Sequence, residues 1–349
     1  RLQKRLTELG HEVEDLGNVL VQIPKSIFVD DPSMRYAEAI AAVCVDLAEH
    51  TRAAIVAEAV PLTLGGNHSA AMGSIGGVAT ALREQGLEVT FYQPTVTFQD
   101  ARLESAVRAV VRKRTEDLTV DDLLNLTSVS LNSSVKSLDG IGQLANLEVL
   151  RFRGSTREGE VQSLVPLQGL DKLHTLDLTT LNIEDIGPLS ALTSLEKLNL
   201  NNNAIIDLSP LSSLRNLREL RLESNLIQDL ESLRGLALLE KLWLESNWIE
   251  DLSPLRALRQ LQTLHLSVNR IKDVGPLAGL RALTWLEFAD NQVEQISGLV
   301  RLRNLLNLDF NNNLVRDISP LARKAFLTSL FFENNFVSGG LYHDQNERR

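Results

Sequence analysis

A single cysteine, Cys44, among 349 residues excludes any intramolecular disulfide and tilts the expected location toward a reducing cytoplasm. No stretch approaches the roughly 18 consecutive apolar residues that span a bilayer, and no basic-then-apolar leader is legible, so membrane insertion is not expected. Basic charge is also short. The net charge is −10, with seven basic against twelve acidic residues before Phe98 and 28 against 33 from there on. Neither part offers the basic face that nucleic acid or an anionic membrane surface requires. Among the histidines, His11, His50, His174 and His343 show no metal-ligand spacing with one another. No Ser-His-Asp or Cys-His arrangement can be drawn either.

What the chain has instead is a repeated phrase. Its clearest statement occupies residues 195–216, LEKLNLNNNAIIDLSPLSSLRN, with apolar residues at Leu195, Leu198, Leu200, Ile205, Leu208, Leu211 and Leu214. The same 22-residue frame begins at Leu173 and restarts at Leu217, Leu239, Leu261, Leu283, Leu305 and Leu327. Two earlier units start raggedly at Leu126 and Leu147, and an insertion at residues 156–161, TREGEV, is expected to bulge from its coil. About ten repeats result. A fixed period of this kind, with leucines at these offsets, is a leucine-rich repeat.

Burying seven aliphatic side chains gains roughly 1.5 to 3 kcal/mol each, while ordering the backbone of 22 residues costs roughly 1 to 2 kcal/mol apiece. No coil can therefore fold alone, and stacking on neighbours must make one continuous leucine core. Each Leu-x-Leu should form one short strand of a parallel sheet on the concave face. Ser-Pro and Gly-Pro pairs, as at Ser209-Pro210, Ser253-Pro254, Gly275-Pro276 and Ser319-Pro320, should open a turn or short helix on the back. A ladder of asparagines, Asn203, Asn225, Asn247, Asn269, Asn291, Asn313 and Asn335, offers amide donors and acceptors where the chain leaves the sheet. The earlier repeats place Ser134, Ser155 and Leu181 there, and the leucine can supply none of these bonds.

Residues 98–114, FQDARLESAVRAVVRKR, read as an amphipathic helix with Leu103, Val107, Val110 and Val111 on one face and Asp100 as its cap. Such a helix would cover the open end of the first coil. The helix with LTVDDLLNLTSVSL after it resembles the start of bacterial internalin-like leucine-rich repeat proteins. The phrase N-x-I-x-D-L-S-P-L is similar to the repeat class shared by internalins and phosphatase-regulating leucine-rich repeat proteins.

Residues 1–96 carry no repeat frame and read as alternating helix and strand. Here LTELGHEVEDLGNV and PLTLGGNHSAAMGSIGGVATAL resemble the first third of arginase-type ureohydrolases. In that family the histidine of a Gly-Gly-Asp-His-Ser segment ligates a two-manganese site, which carries over to His68. The family's Asp is Asn67 in this chain, and its Asp-x-His-x-Asp and Asp-x-Asp segments occur nowhere in it. One imidazole cannot hold two cations across a shared water. His68 is thus expected to be a remnant, with no metal and no cofactor; manganese belongs only to the alternative reading.

The expected architecture is α/β. A partial ureohydrolase-like segment (1–96) precedes a helical cap (97–125), and a leucine-rich repeat solenoid (126–349) follows. Alternation along each strand points the leucines inward and the flanking side chains onto the sheet face. The middle outward column then reads Ser130, Arg151, Asp177, Asn199, Arg221, Trp243, His265, Glu287, Asp309 and Phe331. Adjacent strands lie about 4.8 Å apart, so Trp243, His265 and Trp285 should form a diagonal patch. With Arg221, Glu223, Glu245, Glu287, Asp309 and Phe331 around them, these aromatics have the make-up of an interface centre with a charged rim. Trp248, outside the strand, is expected at an edge or against the core. The expected function is a non-catalytic scaffold that binds another protein on the concave face through a basic contact surface on that partner. The alternative is a manganese ureohydrolase relative that lacks most of its metal ligands. A third reading makes residues 1–96 a fusion relic.

Overall fold

The computed structural model describes residues 95–155, 163–322, 324 and 326–337, which belong to one compact unit beginning at Pro94. The α/β elements expected before residue 95, His68, the bulge at 156–161 and residues 338–349 lie outside the described residues.

Helix α1 (Ala101–Val111) starts at Asp100, where one carboxylate oxygen accepts the backbone N–H groups of Arg102 at 2.7 Å and Leu103 at 3.2 Å. The other oxygen accepts from Lys136 at 2.6 Å and Ser137 at 3.0 Å, which ties the helix to the first coil. Burial alone would raise this carboxyl, but those four N–H bonds hold it below its ordinary value. The helix is shorter than the amphipathic stretch. Phe98 is buried ahead of it, and Arg112 ends it in the left-handed conformation. Leu103 and Val107 are fully buried, whereas Val110 is 47% exposed, which corrects the expected four-residue face. The i, i+4 stripe runs through Leu103, Val107 and Val111 and leaves Val110 off it. A short helix, α2 (Val120–Leu124), leads into the repeats.

Ten strands follow in a single parallel sheet whose spatial order equals chain order. They are β1 (Ser128–Asn132), β2 (Val149–Arg153), β3 (Thr175–Asp177), β4 (Lys197–Asn199), β5 (Glu219–Arg221), β6 (Lys241–Trp243), β7 (Thr263–His265), β8 (Trp285–Glu287), β9 (Asn307–Asp309) and β10 (Ser329–Phe331). Register is strict. Leu198 sits opposite Leu220, which sits opposite Leu242, and each coil returns one strand further along. All seven aliphatic positions of the repeat at 195–216 are buried, and the same positions fuse into one core along the array. In the last coils the second inward position changes from leucine to Phe288, Phe310 and Phe332, whose rings stack at 5.7 and 5.9 Å.

The aspartate of N-x-I-x-D-L-S-P works on the back of the coils that carry it. Asp207 accepts the N–H of Ser209 at 2.8 Å and its hydroxyl at 2.7 Å, which opens the 3-10 turn Ser209–Ser213. Asp251 and Asp317 do the same for Ser253 and Ser319. Serine hydrogen bonds hold all three carboxyls below their ordinary value. Gly154 is required by close approach, because a Cβ there would lie 1.9 Å from the carbonyl oxygen of Thr180.

Candidate protein interaction face

Strand pairing brings the outward column into a line: Asn199 opposite Arg221, Arg221 opposite Trp243, Trp243 opposite His265, His265 opposite Glu287, and Glu287 opposite Asp309. Phe331 continues the row beside Asp309. Since inward leucines are locked in the core, every other side chain of these strands is held on the sheet face.

The ring centroids of Trp243 and His265 are 5.8 Å apart, and those of His265 and Trp285 are 5.5 Å apart, both pairs tilted. Trp243 is only partly exposed because the Arg221 guanidinium lies over its ring, 3.9 Å from the centroid. Arg221 is also held by Glu219 at 3.2 Å. Trp285 is the open member, 43% exposed, and its indole N–H donates to Glu287 at 2.5 Å. Phe331 is 54% exposed at the far end.

The carboxylates do not form the free rim that their positions in sequence suggest. His265 Nδ1 lies 3.0 Å from Glu245 and 3.3 Å from Glu287, so both acids are drawn to the centre of the patch. Asp309 spends one oxygen on the N–H of Asn311 at 2.9 Å. Glu223 is half-buried; burial first, and then the negative charge of Glu245, push its carboxyl above the ordinary value against the pull of Arg221. One carboxylate oxygen each of Glu223 and Glu245, together with His265 Nε2, is buried without a hydrogen-bond partner.

Of its two expected places, edge or core, Trp248 does not take the core. It is 46% exposed rather than packed on the core, with Arg270 over its ring at 4.5 Å. It follows the ladder residue Asn247, where the chain has already turned away from the sheet. The convergence of Glu245, His265 and Glu287 has no signature in local spacing. These residues are 20 and 22 positions apart, and only the register of three strands makes them neighbours. The period of the repeat was the one signal that could have found them.

Residues 193–235, 215–257 and 237–279 match the family Leucine Rich repeats (2 copies), and residues 2–90 match the Arginase family. An internalin C2 from Listeria monocytogenes is 32% identical, covers 64% of this chain and all of its own, and superposes with a TM-score of 0.60. An internalin, InlF, from the same organism is 31% identical over 70% of this chain and 85% of its own, with a TM-score of 0.54. An arginase from Brevibacillus brevis is 32% identical over 83 residues, which span 24% of this chain and only 28% of that enzyme.

Proposed function

The chain is an internalin-like leucine-rich repeat protein with an arginase-family segment at its N-terminus, and from that premise we propose that it binds a partner protein on the outward face of the repeat sheet. The observation that carries this reading is Trp285, a large aromatic left 43% exposed beside Trp243 and His265 in the middle of a rigid strand row. Exposed indoles on a preformed surface supply contact area at little entropic cost. With Glu223, Glu245, Glu287 and Asp309 close by, the fitting partner presents Lys or Arg near its contact point.

Catalysis is not part of this proposal. The arginase-like segment corresponds to little more than a quarter of its relative, and the Asp-x-His-x-Asp and Asp-x-Asp segments are absent from the whole chain. His68 alone is too little for a binuclear centre.

The test compares the wild-type chain with Trp285→Ala and Trp243→Ala in partner capture, followed by affinity measurement on the captured protein. Trp285→Ala should weaken binding by about 2 kcal/mol or more while leaving the melting temperature nearly unchanged. Capture that is indifferent to both substitutions would rule out this face. Urea release from arginine or agmatine by the manganese-supplemented chain would favour the enzyme reading instead.

A further inference from the structure

The centre of the sheet face has donor chemistry that aromatic contact does not use. His265 Nδ1 stands 3.0 Å from Glu245 Oε1 and 3.3 Å from Glu287 Oε2, and one donor atom from each residue falls within 4.8 Å of the other two. A tetrahedral zinc ion with bonds of about 2.0 to 2.2 Å to nitrogen and oxygen has ligand-to-ligand edges of roughly 3.3 to 3.5 Å. The two measured nitrogen-to-oxygen separations lie at or slightly inside that edge, so each histidine-to-carboxylate pair needs only a few tenths of an ångström of relaxation, and the two carboxylate oxygens lie within 4.8 Å of each other.

The charge around the site is unbalanced in the direction a cation would correct. Glu245 Oε2 and Glu223 Oε2 are both buried without hydrogen-bond partners, and Arg221, the nearby cation, is engaged by Glu219 and the face of Trp243. A buried carboxylate oxygen with no donor is costly. All three donors sit on neighbouring strands or one residue pair past a strand end, held by strict register rather than by mobile loops, which is the preorganisation a metal site needs.

We propose that Glu245, His265 and Glu287 form a binding site for a divalent transition metal, zinc being the best match. One imidazole with two carboxylates suits Zn²⁺ and its first-row neighbours, whereas Ca²⁺ requires six to eight oxygen ligands and Mg²⁺ a nearly complete oxygen octahedron. Three protein donors leave one coordination position, open to water or to a donor from a bound partner. The inference does not rest on partner binding, because the metal is measured on the chain alone.

The experiment uses the full chain after chelator treatment. Zn²⁺ is titrated calorimetrically, and Cu²⁺ is titrated while tryptophan fluorescence and the Cu²⁺ spin-resonance spectrum are recorded. The expected result is one Zn²⁺ per chain, with Cu²⁺ quenching Trp243 and Trp285 as one equivalent binds and showing coupling to a single nitrogen. His265→Gln should abolish the nitrogen coupling, and Glu287→Gln should weaken Zn²⁺ by more than about tenfold, a loss at least as large as that from altering an outer-shell partner. Glu287→Gln also serves should His265→Gln fail to fold. A wild-type chain that takes up no Zn²⁺ at micromolar concentrations would overturn the proposal. So would equal uptake by wild type and both variants, which puts the ion elsewhere.

Discussion

The side-chain oxygen of Asn247 accepts the backbone N–H of Ile227, in the preceding coil, at 3.0 Å. The same amide donates to the carbonyls of Leu222 at 2.9 Å and Leu244 at 3.0 Å, so one side chain completes the backbone of two coils. Asn225, Asn269, Asn291 and Asn313 repeat the pattern. In Asn247→Ala the N–H of Ile227 loses its partner inside the core, at roughly 1 to 3 kcal/mol for the group left unsatisfied, while the carbonyls of Leu222 and Leu244 keep the amides of Asn225 and Asn269. A total loss of about 1 to 3 kcal/mol is expected from urea denaturation. Asn335→Ala, at the more exposed end of the ladder, should cost less. A loss under about 1 kcal/mol for Asn247→Ala would mean that water replaces the amide and that the ladder is not a main source of stability.

Val268 occupies the left-handed conformation, φ 58°, one residue before the ladder asparagine of its coil. The equivalent positions in other coils are Thr180, Asn202, Ser224, Ser246, Asp290, Asn312 and Asn334, and all but Thr180 are short polar residues without β-branching, which tolerate this conformation better. Val268 is half exposed, so replacing it gives up little burial. Val268→Asn is expected to stabilise the chain by about 1 kcal/mol, read as a higher melting temperature. A lower one would show that the valine methyls contribute packing that outweighs the backbone strain.

Glu223 carries a pH-dependent cost. Its carboxyl is raised in the folded chain, first by burial and then by Glu245, from a starting value of 4.5. Below 4.5 the group is protonated both folded and unfolded, and it costs nothing. As pH climbs through the window between the unfolded and the folded value, the unfolded chain ionises first and stability falls; above the folded value the whole penalty is present. Glu223→Gln should therefore raise the melting temperature at neutral pH and change it little in acid. Equal gains at both pH values would trace the effect to packing instead.

The repeat spacing was enough to place the leucine core, the strand column and the asparagine ladder, because a 22-residue period with leucines at fixed offsets can bury its apolar side chains in few ways. Asp100 was legible as a helix cap from its position before an amphipathic run. The length of that helix was not. Where it stops depends on Phe98 finding a place in the core and on Arg112 turning left-handed, neither of which helical periodicity encodes. For Trp248 the sequence left edge or core open, and the structure removes the core by leaving the ring exposed with Arg270 over it.

By itself the amino-acid sequence determined which side chains face out of the sheet and in what order, since alternation and period leave no freedom there. Only the tertiary structure decided what those side chains do to one another. Parallel register set residues 20 and 22 positions apart side by side, turned Glu245 and Glu287 inward to His265, laid Arg221 over Trp243, and left Trp285 open. The physical reason is range: burial and pleat are local consequences of residue type, whereas charge pairing and ring contact depend on distances that exist only once neighbouring coils have stacked.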